Sequence, residues 1–350
     1  MRRTVRTNAG FLGWGKTFLV AALVATMAST SFADIVRIYV ANEGGDSILV
    51  IDPVTNKVVQ TIEGIESGQG MGFSPDKKLL YATSYAEAKL AVVDRVSGKI
   101  IKKIPISGYP DTLVVAQDGR VFVGVHDGAA VVDVIDGTTL EKVKSIPTPP
   151  GNHNLAITAD GKYLLGGSQK GRTFIVIDLA TEQVVWSIPI GGAAGPMTIE
   201  SNPDGSARRV FIQFHPYHGF CIIDFAARKE VARIDLPAEP IVSEYMAKGA
   251  APSHGALITP DGKFLWILSA RAQAAFIYSL PDVKLLGHAN TGAGPQWLCF
   301  TPDSKFAYVS NSADATVSVI DTHTWKEVAT IPAGEVVKRS VVLTLPDSGS

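Results

Sequence analysis

The sequence predicts an all-β protein: a seven-bladed β-propeller with four-stranded blades, its ring closed by the C-terminal strand joining the N-terminal blade. Three observations carry that expectation. An Ile-Asp or related pair closes an apolar run at Ile51-Asp52, Val93-Asp94, Ile135-Asp136, Ile177-Asp178, Ile223-Asp224, Tyr278-Ser279 and Ile320-Asp321, at intervals of 42, 42, 42, 46, 55 and 42 residues. A Pro-Asp-Gly-like turn keeps the same beat at Pro75-Asp76, Asp118-Gly119, Asp160-Gly161, Pro203-Asp204-Gly205, Pro260-Asp261-Gly262, Pro302-Asp303 and Pro346-Asp347. The runs between these markers are short and rich in β-branched residues, with turn chemistry roughly every 8–12 residues. That is the texture of propeller blades and not of a helix-pair solenoid.

In chain order, the first element is a targeting segment. Arg2, Arg3, Arg6 and Lys16 precede the apolar run Phe18 to Met27, and Ser31-Phe32-Ala33 supplies a small-x-small cleavage site. This reads as a secretory signal over residues 1–33, leaving residues 34–350 as one propeller domain. The apolar run is too short for a hydrocarbon core, which needs about 20 residues, so a periplasmic or secreted protein without a membrane span is expected. Arg2-Arg3 leaves the general and twin-arginine export routes both open. Losing those four cations moves the formal charge from −1 to −5. A net-acidic surface argues against general nucleic-acid binding, which draws its affinity from basic patches.

The mature chain then enters a second strand, Val36 to Ala41, with no inner strand before it. Inner strands begin near Gln69, Asp111, His153, Met197, His254, Gln296 and Ser340. The last full unit parses as Trp297 to Thr301, Phe306 to Ser310, Val317 to Ile320 and Glu327 to Ile331, leaving Ser340 to Leu345 as the missing partner of Val36 to Ala41. Pairing the two ends removes an exposed edge, and a monomer is expected. The Asp after each third strand is expected to accept hydrogen bonds from the backbone of its own turn, as in Asp52-Pro53-Val54-Thr55.

Tyr39-Val40-Ala41-Asn42, Tyr81-Ala82-Thr83-Ser84 and Tyr308-Val309-Ser310-Asn311, with Ser318-Val319-Ile320-Asp321 and Val328-Ala329-Thr330-Ile331-Pro332-Ala333-Gly334, resemble the YVTN-type β-propeller repeat of exported bacterial proteins. The similarity covers essentially the whole mature chain. It implies the broad group that includes the haem d1 propellers of nitrite reductase and the propeller domain of nitrous oxide reductase. The motif itself is scaffold and implies no activity.

Loops entering inner strands and loops joining second to third strands share one face of a propeller. Counting from the turn Asp puts Gln69, Asp111, His153, Met197, His254, Gln296 and Ser340 around the channel mouth, with Trp297 beside them. The second loop set adds Glu43, Tyr85, His126, Asp127, His215, Tyr217, His218 and Arg271, so five of the seven histidines fall on this face. Gln69, Asp111, His126, His153, His254, Arg271, Gln296 and Trp297 are the candidate ligand-binding residues, recognising a small molecule or a periplasmic protein partner. Alternatively His153, His254, His215 and His218 hold a metal or an axial haem position, with copper or a non-covalent haem as the cofactor of a redox protein. The bland alternative is that these side chains hydrate the bore, and for Trp297 that it packs between blades.

The chain lacks Cys-x-x-Cys-His, His-Glu-x-x-His, Gly-x-Ser-x-Gly and a phosphate-binding glycine loop, so no catalytic motif directs the reading to an enzyme. A lactonase-type hydrolase would rest on Asp111, Glu43 and Glu200 as calcium ligands, a thin set. Cys221 and Cys299 sit in apolar strands of different blades and are expected as buried free thiols. Leu236 to Pro252 is an insertion leading into His254, expected as a lid or docking loop at the mouth.

Overall fold

The structure, a computed structural model, describes residues 34–237 and 251–346. The expected signal segment, most of the insertion and the Asp347 turn position lie outside the described residues. Twenty-eight strands form seven four-stranded antiparallel sheets. Blade 1 combines β1 (Ile35–Asn42), β2 (Ser47–Asp52), β3 (Lys57–Glu63) and the last strand, β28 (Val337–Leu345), in the order β28-β1-β2-β3. Blades 2 to 7 follow over residues 68–105, 108–147, 152–189, 193–235, 256–290 and 295–332. The closure expected from the missing inner strand is therefore present. Ile38 pairs with Val342 and Val40 with Ser340 across it.

The third-strand turns behave as their Asp residues predict. The Asp178 carboxylate accepts the backbone N–H groups of Ala180 and Thr181, each at 2.9 Å, and Asp321 accepts those of His323 and Thr324. Four residues after each marker the chain turns left-handed, at Asn56, Gly98, Leu140, Glu182, Arg228, Val283 and Trp325. In every blade but the fifth that residue returns its N–H to the marker carbonyl, as Asn56 does to Asp52 at 2.8 Å. In blade 6, Ser279 replaces the Asp, and its hydroxyl takes the Lys284 N–H instead.

Alternation along each strand buries one apolar row against each neighbouring blade. Between blades 6 and 7, Trp266, Leu268 and Ile277 meet Leu298, Phe300 and Val309. Between blades 4 and 5, Leu165, Phe174 and Val176 meet Met197, Ile212 and Phe214. Each such side chain removed from water contributes about 1.5–3 kcal/mol, so the ring is held by its seven inter-blade seams. Cys221 and Cys299 are buried free thiols within these seams, as the sequence led us to expect.

Candidate functional site

The inner strands are β28 and, in blades 2 to 7, β4 (Gly68–Phe73), β8 (Gly108–Val115), β12 (Asn152–Ile157), β16 (Ala193–Ser201), β20 (Ala256–Ile258) and β24 (Pro295–Phe300). The register breaks where most of them enter the blade: between Asn152 and Asn154, Pro295 and Trp297, Gly68 and Met71, Pro110 and Thr112, Ala194 and Met197. The extra residue of each bulge turns to the channel mouth. It is Gln69, Asp111, His153, Gly195 and Gln296 in blades 2, 3, 4, 5 and 7; His254 holds the same place in blade 6, and Lys338 in blade 1.

Two positions differ from the sequence expectation. Met197 and Ser340 are not at the mouth position but two residues further along. Met197 packs in the seam between blades 4 and 5, and Ser340 pairs with Val40 inside blade 1. The physical reason is strand length. β16 and β28 have nine residues, against six for β4, β12 and β24, so counting back from the turn Asp stops two residues short of the bulge.

Across the mouth runs a contiguous band of rings. Tyr109 lies 5.4 Å from Tyr85, Tyr85 6.4 Å from His126, His126 5.9 Å from His153, and His153 5.6 Å from His254, centroid to centroid. His254 then meets His215 at 6.1 Å, nearly parallel, and Trp297 at 6.0 Å. Six blades contribute. Trp297 therefore faces the mouth, where the Arg339 guanidinium lies 4.2 Å from its ring centre.

Arg339, absent from the sequence-based set, crosses the bore. It donates to the Asp111 carboxylate at 2.9 Å, the His153 carbonyl at 3.1 Å and Asn154 Oδ1 at 3.2 Å. Because a guanidinium only donates, the Asn154 amide is oriented with its NH₂ toward His153 Nδ1, 2.6 Å away. His153 Nδ1 accepts, and its proton sits on Nε2, 3.7 Å from Asp111. His254 has the opposite tautomer, since its Nδ1 lies 2.7 Å from the Gln296 carbonyl and must donate, leaving Nε2 as a bare acceptor. Burial, then the charges of Arg339 and Lys338, hold the His153 imidazole well below its usual range. Burial, then His153 and Lys338, do the same to His254, with the Gln296 carbonyl opposing. Both are neutral near pH 7.

The rim is tied separately. Asp127 receives Lys170 and Tyr85 and lies 2.8 Å from His126 Nδ1; the Lys170 contact, then Tyr85, hold its carboxyl far below the usual carboxylate range. His126 Nε2 is 3.0 Å from Gln169. Glu43 bridges Gln69 at 2.5 Å and Lys338 at 3.0 Å. His218 is turned to Ser269 at 2.8 Å, and Arg271 lies on the loop that follows Ser269.

The four histidines expected as metal ligands are thus not one coordination shell. His153, His215 and His254 share the band, while His218 is engaged with Ser269. Among the described residues no three His, Cys, Asp or Glu side chains gather around a point that could hold an ion. A copper centre does not fit this donor set; for a non-covalent haem the uncommitted imidazoles of this face are His254, through Nε2, and His215, whose Nδ1 has no hydrogen-bond partner among the described residues. Lys338, Arg339, Asn154 and Gly195 were missed. The signal for two of them was the Lys338-Arg339 pair at the start of the valine-rich strand Val337–Leu345.

Comparison with known proteins agrees with the fold. A family model described as a YNCE-like beta-propeller matches residues 96–204, and one described as a lactonase, 7-bladed beta-propeller, matches residues 240–339. The narrower YVTN-type resemblance is carried by the repeats alone. A 6-phosphogluconolactonase of Enterobacter sp. (strain 638) is 29% identical over 91 residues, which span 24% of this chain and only 28% of that protein. Among solved structures, hydrazine synthase of Kuenenia stuttgartiensis superposes with a TM-score of 0.69 at 24% identity, covering 81% of this chain and 92% of its own. The dihydro-heme d1 dehydrogenase NirN, solved in complex with DHE, superposes at 0.65 and 17% identity, covering 87% and 74%. At these identities the likeness is one of fold.

Proposed function

We infer that this chain is an exported β-propeller, periplasmic or secreted, that binds a ligand or partner at the channel mouth and acts as a binding or accessory protein. The observation that supports this reading best is the band of rings contributed by six blades and set between neutral imidazoles of opposite tautomer. Scaffold alone does not call for paired tautomers: a bore that only needed hydration would be served by any polar side chain. The mouth offers flat faces for stacking, one bare acceptor and a fixed guanidinium, which are the ingredients of selective small-ligand recognition.

The test is a metabolite panel and a periplasmic extract, read by thermal shift and calorimetry. Changes at His153, His215, His218, His254 or Trp297 weaken binding; changes at Lys77, Lys162 or Lys305, on the opposite face, leave it intact. Loss confined to the lysine variants would put the site on the wrong side. Metal analysis and an absorption spectrum of the protein purified from the periplasm check the redox alternative: a Soret band lost in His254→Ala would replace the accessory reading by a haem-carrying one.

A further inference from the structure

The channel has a second end. Opposite the mouth, the last residues of the inner strands β28, β4, β8 and β12 line an open cleft of about 520 Å³, walled by Met71 and Phe73 of blade 2, Leu113 and Val115 of blade 3, Ile157 of blade 4 and Val342 of blade 1. Phe73, Val115, Ile157 and Val342 are only half-buried, so these walls hold apolar surface against solvent.

One cation stands at the rim of this cleft, at an unusual place in its turn. Lys77 takes the left-handed position of the turn after β4, with φ 61°, where blades 3 to 6 have Gly119, Gly161, Gly205 and Gly262 and blade 7 has Ser304. A β-carbon is disfavoured in that conformation, which glycine adopts without strain. From there the Lys77 ammonium reaches blade 1 and donates to the carbonyl of Thr344, also a residue of the cleft, at 2.6 Å. That bond uses one of the three N–H groups an ammonium carries.

The carboxylates at this end are already engaged. Asp76, next to Lys77, is turned to the Ser74 hydroxyl at 2.6 Å and to Lys78 at 3.6 Å. Four other turn carboxylates are matched within their own turns, Asp118 by Arg120, Asp160 by Lys162, Asp261 by Lys263 and Asp303 by Lys305. Among the described residues Lys77 is left without a carboxylate partner. An incoming amine would therefore meet a like charge here, whereas an incoming carboxylate would meet an ammonium with donors to spare above apolar walls.

We propose that this end of the channel is a second binding site, for a carboxylate with an apolar tail, the fatty acid class, its head group on Lys77 Nζ and its tail along Phe73, Val115 and Ile157. The site goes beyond the reading of the mouth as a binding surface and does not depend on it. The tail supplies affinity in proportion to the methylene groups it takes from water, up to about fourfold for each, and the ammonium selects the head group. A lysine that only tied blade 2 to blade 1 would produce neither dependence.

Hexanoate, octanoate and decanoate are the probes, with octanamide and octylamine as head-group controls, each below its micelle concentration and titrated by calorimetry or ligand-observed NMR against the folded protein. Affinity should rise along the acid series by about twofold to fourfold per methylene. Octanoate should bind on the order of tenfold more tightly than octanamide, and octylamine weakest. Lys77→Gly, which restores the residue of four other blades and so keeps the turn, should bring octanoate to the octanamide value, and Lys77→Gln should do the same. Lys162→Gln and Lys263→Gln, on the same face in other turns, should leave octanoate binding unchanged. Absence of octanoate binding at millimolar concentration, equal affinities along the acid series, a preference for octylamine, or a head-group preference that survives both Lys77 variants would each overturn the proposal. So would octanoate binding that is lost in His254→Phe, which would place it at the mouth. A ligand lost with His153 or His254 and kept in Lys77→Gly supports the mouth reading alone, so the two sites stand or fall separately.

Discussion

Arg339 and Asp111 form an ion pair at 2.9 Å from blades on opposite sides of blade 2, both side chains more than nine-tenths buried. Taking two charges out of water is costly, and the pair is held by further bonds: the guanidinium also reaches Asn154 and the His153 carbonyl, and rests on Trp297. Removing one partner strands the other. Arg339→Met should destabilise the protein by about 3–5 kcal/mol in urea unfolding. Asp111→Asn in the same chain should recover a substantial part; a double variant whose loss equals the sum of the singles would show that the two do not act as a pair.

Stability should fall with acid through the imidazoles. Burial holds His153 and His254 well below the ordinary histidine value, so below about pH 6.5 the unfolded chain binds protons that the folded chain refuses. The contribution is complete above that pH and is lost as the pH drops beneath it, by up to about 1.4 kcal/mol per unit for each ring. A His153→Gln, His254→Gln double variant should show a shallower decline of the urea midpoint between pH 7 and 5. An unchanged slope would place the protons elsewhere.

The placement of Met197 is open to a direct check. As a seam residue between blades 4 and 5, Met197→Ala should cost about 2–4 kcal/mol in unfolding and leave ligand affinity untouched. Lost binding without lost stability would return Met197 to the mouth.

Ring closure gives a fourth expectation. β28 pairs with β1 from Ile35–Leu345 to Asn42–Val337. A chain ending before Val337 should expose the edge of β1, melt lower and self-associate in size-exclusion chromatography. A monomer with an unchanged melting temperature would contradict the closure.

How much of this was legible in the sequence follows from what each signal reports. Turn chemistry is local: Asp178 satisfies Ala180 and Thr181 within its own hairpin, so the beat of such residues displays blade number and strand order directly. The closure could be deduced because β1 begins without an inner partner. The mouth was half legible. Gln69, Asp111, His153, His254 and Gln296 were found because their blades keep the common spacing from bulge to turn, while Gly195 and Lys338 were passed over because β16 and β28 are longer. Arg339 could not be placed from spacing at all. Its partners, Asp111 and Asn154, are brought near by the curvature of the ring, a property of seven blades together.

β28 also governs when the site comes into being. It is the last strand described, and it carries Lys338 and Arg339, whose partners Glu43, Asp111 and Asn154 all come from much earlier in the chain. During synthesis blades 2 to 7 have their own strands in hand, yet blade 1 waits for the final one. Until it arrives, Asp111 has no counter-charge and Asn154 has nothing to set its amide, so the tautomer of His153 is undefined. Completion of the ring and ordering of the mouth are therefore one event, and a chain that ended before β28 would lack the Arg339 contacts to Asp111 and Asn154 even where its remaining blades had folded.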